Sequence, residues 1–67
     1  MNQNQEQLIE TIRSQILFIR DGGWTNMFST WRVREIAEEL DFPELVEYIR
    51  KKPNKYCKAI MTGKIEL

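Results

Sequence analysis

The sequence contains no histidine and only one cysteine, Cys57. Without histidine the chain cannot build a Cys/His zinc site, and a single thiol cannot form an intramolecular disulfide. Cys57 also lacks the imidazole that would activate it as a nucleophile, so its place beside Tyr56 on a helix favours a packing role. A lone cysteine is typical of a reducing compartment.

Long apolar runs are missing as well. No stretch approaches the roughly 18 apolar residues of a membrane span, and the opening MNQNQEQ is polar and lacks the basic flank of a signal peptide. We therefore predict a cytoplasmic protein without membrane contact. The 67 residues predict one small domain, with residues 1–4 and 64–67 expected to fray.

Net charge is absent too, because ten basic residues balance ten acidic ones. This balance excludes a global basic field that would recruit nucleic acid. The distribution is uneven, however: residues 35–47 hold six acids and no base, and residues 50–58 hold five bases and no acid. One interpretation is stabilisation of helix dipoles by charges near the helix ends. The other is a dipolar surface that selects partners.

The spacing of apolar residues predicts a long first helix over residues 5–20, with Asn4 as its N-cap. The apolar residues that share one arc of this helix are Leu8, Ile9, Ile12, Ile16 and Ile19. Leu17 and Phe18 fall outside that arc. Either the rest of the chain wraps the second half of this helix, or a second copy covers it. We accordingly predict a homodimer, which would also relieve the small size of the core.

A second, shorter helix is predicted to begin after Ser29, which is positioned to cap it. Phe28 before the cap is expected to pack on Val33 as a hydrophobic staple. The residues of the expected buried stripe are Val33, Ile36, Ala37 and Leu40. Trp31 lies nearly opposite that stripe, so its side chain is expected to point away from the core.

Two further short helices complete the prediction. Pro43 suits the first turn of the third helix, which is expected to end near Lys52. This helix is expected to bury Leu45, Val46 and Ile49, with Tyr48 at the edge. The fourth covers about residues 54–62, presents Tyr56 and Ile60, and is closed by Gly63. The predicted class is all-α, with one longer N-terminal helix and three short helices.

The segment DGGWTNMF, residues 21–28, connects the first two helices. Gly22 follows the last periodic residue, where a left-handed position commonly ends a helix. Phosphate binding is excluded by context, since no strand precedes the glycines and no phosphate-loop spacing follows them. Asn26 can form an Asx-turn that makes the loop rigid. We expect Met27 and Phe28 inside and Trp24 exposed.

Residues 33–51, VREIAEELDFPELVEYIRK, superficially resemble a helix-turn-helix. Two details favour an ordinary packed hairpin: Val46 follows Leu40 one position early, and the second helix begins with Glu44 and Glu47, which phosphates would repel. A regulator that binds DNA or RNA remains the alternative interpretation. Its candidate contacts are the basic residues Arg50, Lys51, Lys52, Lys55 and Lys58.

Catalysis is not expected, because the carboxylates lie on solvated helical faces and a small chain has little room for a dry pocket. We predict no enzyme activity, no cofactor and no metal. Trp24 and Trp31 are the best functional candidates, since tryptophan and arginine are enriched at interface hot spots. The alternative is that both indoles cover the core. The candidate protein interface comprises Trp24, Trp31, Arg20, Glu35, Glu38 and Glu39.

The strings IRDGGWTNMF, VREIA and ELVEYI resemble a family of small proteins of unknown function encoded in phages and prophages of Gram-positive bacteria. The resemblance covers about residues 12–63. The family often has Asp where this chain has Ser29, and both residues suit an N-cap. The family carries no assigned catalytic residue. The resemblance implies an accessory protein that binds a host or phage protein, for example an anti-defence inhibitor of a CRISPR nuclease.

Overall fold

The computed structural model describes residues 3–67, with only the backbone of Gln3. Its elements are α1 (Gln3–Gly22), α2 (Thr30–Glu39), α3 (Pro43–Lys51) and α4 (Pro53–Thr62). The described residues contain no strand, which confirms the all-α prediction. The first helix is longer than predicted: it already includes Asn4, so the proposed N-cap is wrong, and it continues to Gly22. The fraying predicted for residues 1 and 2 lies outside the described residues.

One apolar core joins the four helices. Its buried residues are Ile12, Ile16, Ile19, Val33, Ile36, Ala37, Leu45, Tyr48, Ile49, Tyr56 and Ala59. The predicted arc of α1 is confirmed only from Ile12 onward, because Leu8 is 38 % exposed and Ile9 is half-buried. Leu8 instead lines an open groove together with Pro43, Tyr48 and Leu67.

Tyr48 belongs to the core rather than to its edge, in contrast to the prediction, whereas Val46 is only half-buried. The reason lies after α4, where the chain turns back over α3. The Tyr48 hydroxyl donates a 2.6 Å hydrogen bond to the main-chain oxygen of Glu66. Ile65 and Leu67 are partly buried against the core, so residues 64–67 pack on the domain although fraying was expected there.

A long-range hydrogen bond holds α3 against α1. The residue before α3 is Phe42, whose side chain cannot cap the helix. Gln15 of α1 supplies the missing acceptor: its Oε1 accepts a 3.0 Å hydrogen bond from the Leu45 backbone N–H, and its Nε2 donates a 2.8 Å bond to Glu44 Oε1. Gln15 is itself buried. This side chain therefore satisfies an N-terminal donor of a helix that has no cap of its own.

Within residues 3–67, no helix combines the length and the apolar character that crossing a membrane requires.

Candidate protein-interaction surface

The two adjacent glycines after α1 have different roles. Gly23, not Gly22 as predicted, has the left-handed backbone that ends the helix, with φ of 66°. Gly22 is the last residue of α1, and Trp24 folds back over it. A Cβ atom at position 22 would lie 2.7 Å from three atoms of the indole ring. Gly22 therefore provides the space that Trp24 occupies.

The loop that carries Trp24 is fixed at two points. Asn26 Oδ1 accepts a 2.8 Å hydrogen bond from the Phe28 N–H, which is the predicted Asx-turn. The hydroxyl of Tyr56 in α4 donates a 2.6 Å bond to the Met27 main-chain oxygen. Burial raises the pKa of the Tyr56 phenol above its usual range, which keeps the donor protonated. The loop is therefore held by contacts within itself and by the core.

Phe28 differs from its prediction. Its side chain is half exposed rather than inside, whereas Met27 packs partly against the core as expected. Ser29 does occupy the N-cap position of α2, but its side chain makes no capping hydrogen bond. A half-exposed phenylalanine beside an uncapped helix start adds apolar surface to the loop that carries Trp24.

Three aromatic rings from separate parts of the chain form a continuous row on the surface. The Phe18 and Trp24 ring centroids lie 5.9 Å apart, and those of Phe18 and Phe42 lie 5.7 Å apart with the rings edge to face. These separations are in the range of favourable aromatic pairs. Phe18 and Trp24 are each about half exposed. We call Trp24, Phe18 and Phe42 the aromatic row.

A groove separates Trp24 from the side of α2. It is lined by Trp24, Arg32, Ile36, Glu39 and Leu40, with a volume of about 330 Å³. Arg32 Nη1 donates a 2.7 Å bond to Glu35 Oε1. The groove thus combines an aromatic wall, aliphatic side chains and charged side chains that are open to solvent, which is a common composition for an interface hot spot.

The predicted interface residues fall into three places. Trp24 and Glu39 line the groove together. Trp31 is 65 % exposed on α2, and helical spacing places Glu35 and Glu38 on the same side of that helix. Arg20 lies apart from these residues, because it lines a different groove between α1 and α4 and contacts Asp21 at 3.4 Å.

The acidic run is only partly neutralised by its surroundings. Glu35 pairs with Arg32 and Glu47 pairs with Arg50. Glu44 binds the Gln15 amide, which, with a backbone hydrogen bond of its own, lowers the pKa of the Glu44 carboxyl. The remaining acids make no ion pair within residues 3–67, and we call them the acidic edge: Glu38, Glu39 and Asp41.

The basic run makes many contacts with its own chain. Arg50 donates to both carboxylate oxygens of Glu47, at 2.7 and 2.9 Å. Lys52 and Lys55 both donate to the main-chain oxygen of Leu67, at 2.7 and 2.8 Å. Lys58 lies 4.0 Å from Glu66. Lys51 lines a groove between α1 and α3.

Sequence reasoning missed the contributions of Phe18, Phe42 and Arg32 to this surface. Phe18 gave a signal, because it lies off the apolar arc of α1. Phe42 and Arg32 gave none, since their places depend on how the helices pack.

Among residues 3–67, no three His, Cys, Asp or Glu side chains come close enough together to hold a metal ion. Cys57 is half-buried.

Comparison with known proteins identifies a family. Neither the search of curated proteins nor the search of solved structures finds a match to the chain. The sequence profile of a family described as "Domain of unknown function (DUF5049)" matches residues 8–64, which include all the helices from α2 to α4 and most of α1. The chain therefore belongs to the DUF5049 family.

Proposed function

We propose that the protein is a non-enzymatic accessory protein that acts by binding another protein. The observation that supports this function best is the aromatic row beside the groove of α2. In a domain of 67 residues, Phe18, Trp24, Phe28 and Trp31 expose half or more of their side chains around one loop and the adjoining helices. Exposed aromatic surface of this kind commonly marks a protein-binding site.

The loop geometry adds a second reason. Binding is less costly when the contact residues are already held in place, because little conformational entropy is lost on association. The Asn26 turn and the Tyr56–Met27 bond hold the loop, and Gly22 gives the Trp24 ring its position. The surface is therefore preorganised for a partner.

The setting we propose is the cytoplasm of a bacterium that carries a phage or prophage, as the resemblance in the sequence implies. An anti-defence inhibitor, for example of a CRISPR nuclease, is one concrete form of this function. The acidic edge would then imitate a short line of phosphates toward a basic channel, because Glu38, Glu39 and Asp41 make no ion pair within residues 3–67.

The experiment is an affinity capture of the tagged full chain from lysate of a phage-bearing host, with and without nuclease, read by mass spectrometry. The unmodified chain is compared with Trp24→Ala and Trp31→Ala. The matched control is Met61→Ala, which truncates a 73 % exposed side chain on α4. We expect a stoichiometric partner that survives nuclease, is retained by the control and is weakened at least about tenfold by either tryptophan variant.

Circular dichroism of each variant separates binding from folding. Because Trp31 is largely exposed, Trp31→Ala should leave the helical signal and the melting temperature nearly unchanged. A melted Trp31→Ala variant would mean that the indole supports the core. The triple variant Lys51→Glu, Lys52→Glu and Lys55→Glu tests the alternative. If the captured partners are lost both after nuclease treatment and in this variant, the protein is a nucleic-acid-binding regulator and the proposal is overturned.

A further inference from the structure

The groove between Trp24 and α2 brings together three kinds of surface. Its lining residues are Trp24, Arg32, Ile36, Glu39 and Leu40, and we call it the Trp24 groove. The indole of Trp24 is half exposed, and Glu39 is exposed on α2. Ile36 and Leu40 supply the apolar part of the lining. The groove therefore offers an aromatic ring, aliphatic side chains and a carboxylate to the same ligand.

The charge of Glu39 is not compensated within the groove. Arg32 also lines it, but Arg32 Nη1 donates a 2.7 Å hydrogen bond to Glu35 Oε1, so a different acid balances its positive charge. Glu39 makes no ion pair within residues 3–67. The lining of the Trp24 groove thus carries one uncompensated charge, and that charge is negative.

The surrounding segment has the same sign of charge. Residues 21–41 supply every lining residue of the Trp24 groove, and they contain five acids and only two bases. Of these bases, Arg32 is paired with an acid, and Arg34 lies nearly opposite Arg32 around α2. In the groove between α1 and α4, by contrast, the charged lining residues are arginines. The Trp24 groove is therefore complementary to a cation, although the whole chain has no net charge.

Arginine is the protein cation that suits this lining best. Its guanidinium is planar and more weakly hydrated than the lysine ammonium, it stacks on aromatic rings, and it can donate two hydrogen bonds to one carboxylate. Tryptophan is the best aromatic partner of such a cation. The methylene groups of an arginine side chain can pack on aliphatic residues such as Ile36 and Leu40.

We propose that the Trp24 groove binds an arginine side chain of the protein partner. The guanidinium lies against the Trp24 indole and pairs with the Glu39 carboxylate. This inference rests on the proposed function, because it names the chemistry of the segment that the same surface takes. Since Trp24 also belongs to the aromatic row, the partner presents this arginine beside apolar side chains that cover Phe18.

The test is an NMR titration of the full chain with N-acetyl-arginine amide at low salt. The two indole N–H resonances are assigned with the variant Trp31→Phe. We expect a saturable shift of the Trp24 resonance, with a dissociation constant on the order of 10 mM. The Trp31 resonance should shift much less, because Trp31 does not line the groove. Equal shifts of both resonances would mean that any exposed indole binds the probe, and would overturn the proposal.

Two further probes separate charge from shape. N-acetyl-citrulline amide has nearly the shape of the arginine probe without its charge, and N-acetyl-lysine amide has the charge without the planar group. Each should bind Trp24 about threefold more weakly than the arginine probe. A citrulline probe that binds as well as arginine would show that charge plays no part. A lysine probe that binds as well would show that the guanidinium is not recognised, and either result contradicts the proposal.

A pair of carboxylate variants tests the role of Glu39. Glu39→Gln should weaken binding of the arginine probe about threefold, which is the effect of losing one exposed ion pair. Glu10→Gln is the matched control, because it removes an exposed carboxylate of α1 outside the Trp24 groove and should leave the titration unchanged. The proposal fails if Glu39→Gln behaves like the control, or if the Trp24 resonance does not move up to about 50 mM probe.

Failure of this inference and failure of the proposed function are distinguishable. If the arginine probe does not bind but capture from lysate still depends on Trp24, the inference is wrong and the proposed function stands. If the probe binds at Trp24 but the chain captures no protein, the proposed function is wrong and the groove remains a guanidinium site.

Discussion

Gly22 and Trp24 form a single packing unit, because the indole covers the backbone at position 22 so closely that a Cβ there would lie 2.7 Å from three ring atoms. Gly22 thus leaves room for the Trp24 side chain, and Gly23 provides the left-handed backbone that ends α1. This relationship explains why the chain needs two adjacent glycines where one would suffice to end a helix.

Gly22→Ala should displace the Trp24 ring without unfolding the protein. The atoms that clash belong to a half-exposed side chain that can move, and alanine is favoured over glycine in a helix by up to about 1 kcal/mol. The expected result is a red-shifted Trp24 emission, weaker partner binding and a nearly unchanged free energy of unfolding. The fluorescence is measured in a Trp31→Phe background, so that Trp24 is the sole emitter.

Gly23→Ala is the control for that experiment and should give the opposite pattern. No atom lies within 4 Å of a Cβ at position 23, but its φ of 66° is unfavourable for alanine. We expect a loss of about 1 kcal/mol in the free energy of unfolding, with the emission of Trp24 preserved. Identical behaviour of the two variants would show that the indole does not rest on Gly22.

Gln15→Ala should destabilise the domain by about 1–3 kcal/mol, because it leaves the buried Leu45 N–H without its acceptor. The measurement is urea denaturation followed by circular dichroism, with the exposed Gln7→Ala as the matched control. The Glu44 pKa, measured by NMR, should rise toward its ordinary value when the Gln15 amide is removed. An unchanged Glu44 pKa would mean that the amide does not bind this carboxylate.

The helices were predictable from the sequence because their signals are local. Apolar spacing indicated the four elements, Pro43 marked a start, and Gly63 marked an end, which its φ of 80° confirms. The same spacing placed Trp31 away from the core, and that side chain is exposed. Each of these features depends on residues within one or two helical turns.

The features that the sequence did not reveal depend on distant residues. Gln15 caps a helix that begins 28 positions later. No local sequence pattern distinguishes this capping glutamine from any other polar residue of α1. Tyr48 is buried because residues 64–67 turn back over α3. In the aromatic row, Phe18 and Phe42 are in contact although they lie far apart in the sequence, so no helical periodicity relates them.

The stability of the domain should fall at alkaline pH because of Tyr56. Burial raises the pKa of Tyr56 in the folded chain, whereas the pKa of tyrosine in the unfolded chain is about 10. A raised folded pKa means that this stabilisation is complete below about pH 10 and is lost as the pH rises further. Urea denaturation from pH 7 to about 11 should show this decline in the unmodified chain.

Tyr56→Phe isolates that contribution. The variant should lose about 1 kcal/mol at neutral pH, since the bond to the Met27 oxygen is removed. Its stability should then decline less steeply above about pH 10 than that of the unmodified chain, and the remaining decline includes Tyr48, whose pKa is also raised by burial. Parallel curves would contradict a raised Tyr56 pKa.

Asp41→Gly should stabilise the protein by about 0.5–1 kcal/mol. Asp41 follows the C-cap of α2 with φ of 60°, and two hydrogen bonds fix this turn, from the Asp41 N–H to the Glu38 oxygen and from the Phe42 N–H to the Ala37 oxygen. This pattern is a Schellman motif, in which glycine is the favoured residue.

Aspartate tolerates the left-handed backbone better than alanine, and a β-branched residue tolerates it least. The free energies of unfolding should therefore decrease in the order Gly, Asp, Ala and Val at position 41, as measured by urea denaturation with a common m-value. If alanine equalled or exceeded glycine, the backbone at Asp41 would not be left-handed in solution, and the turn that orients Phe42 toward Phe18 would have another conformation.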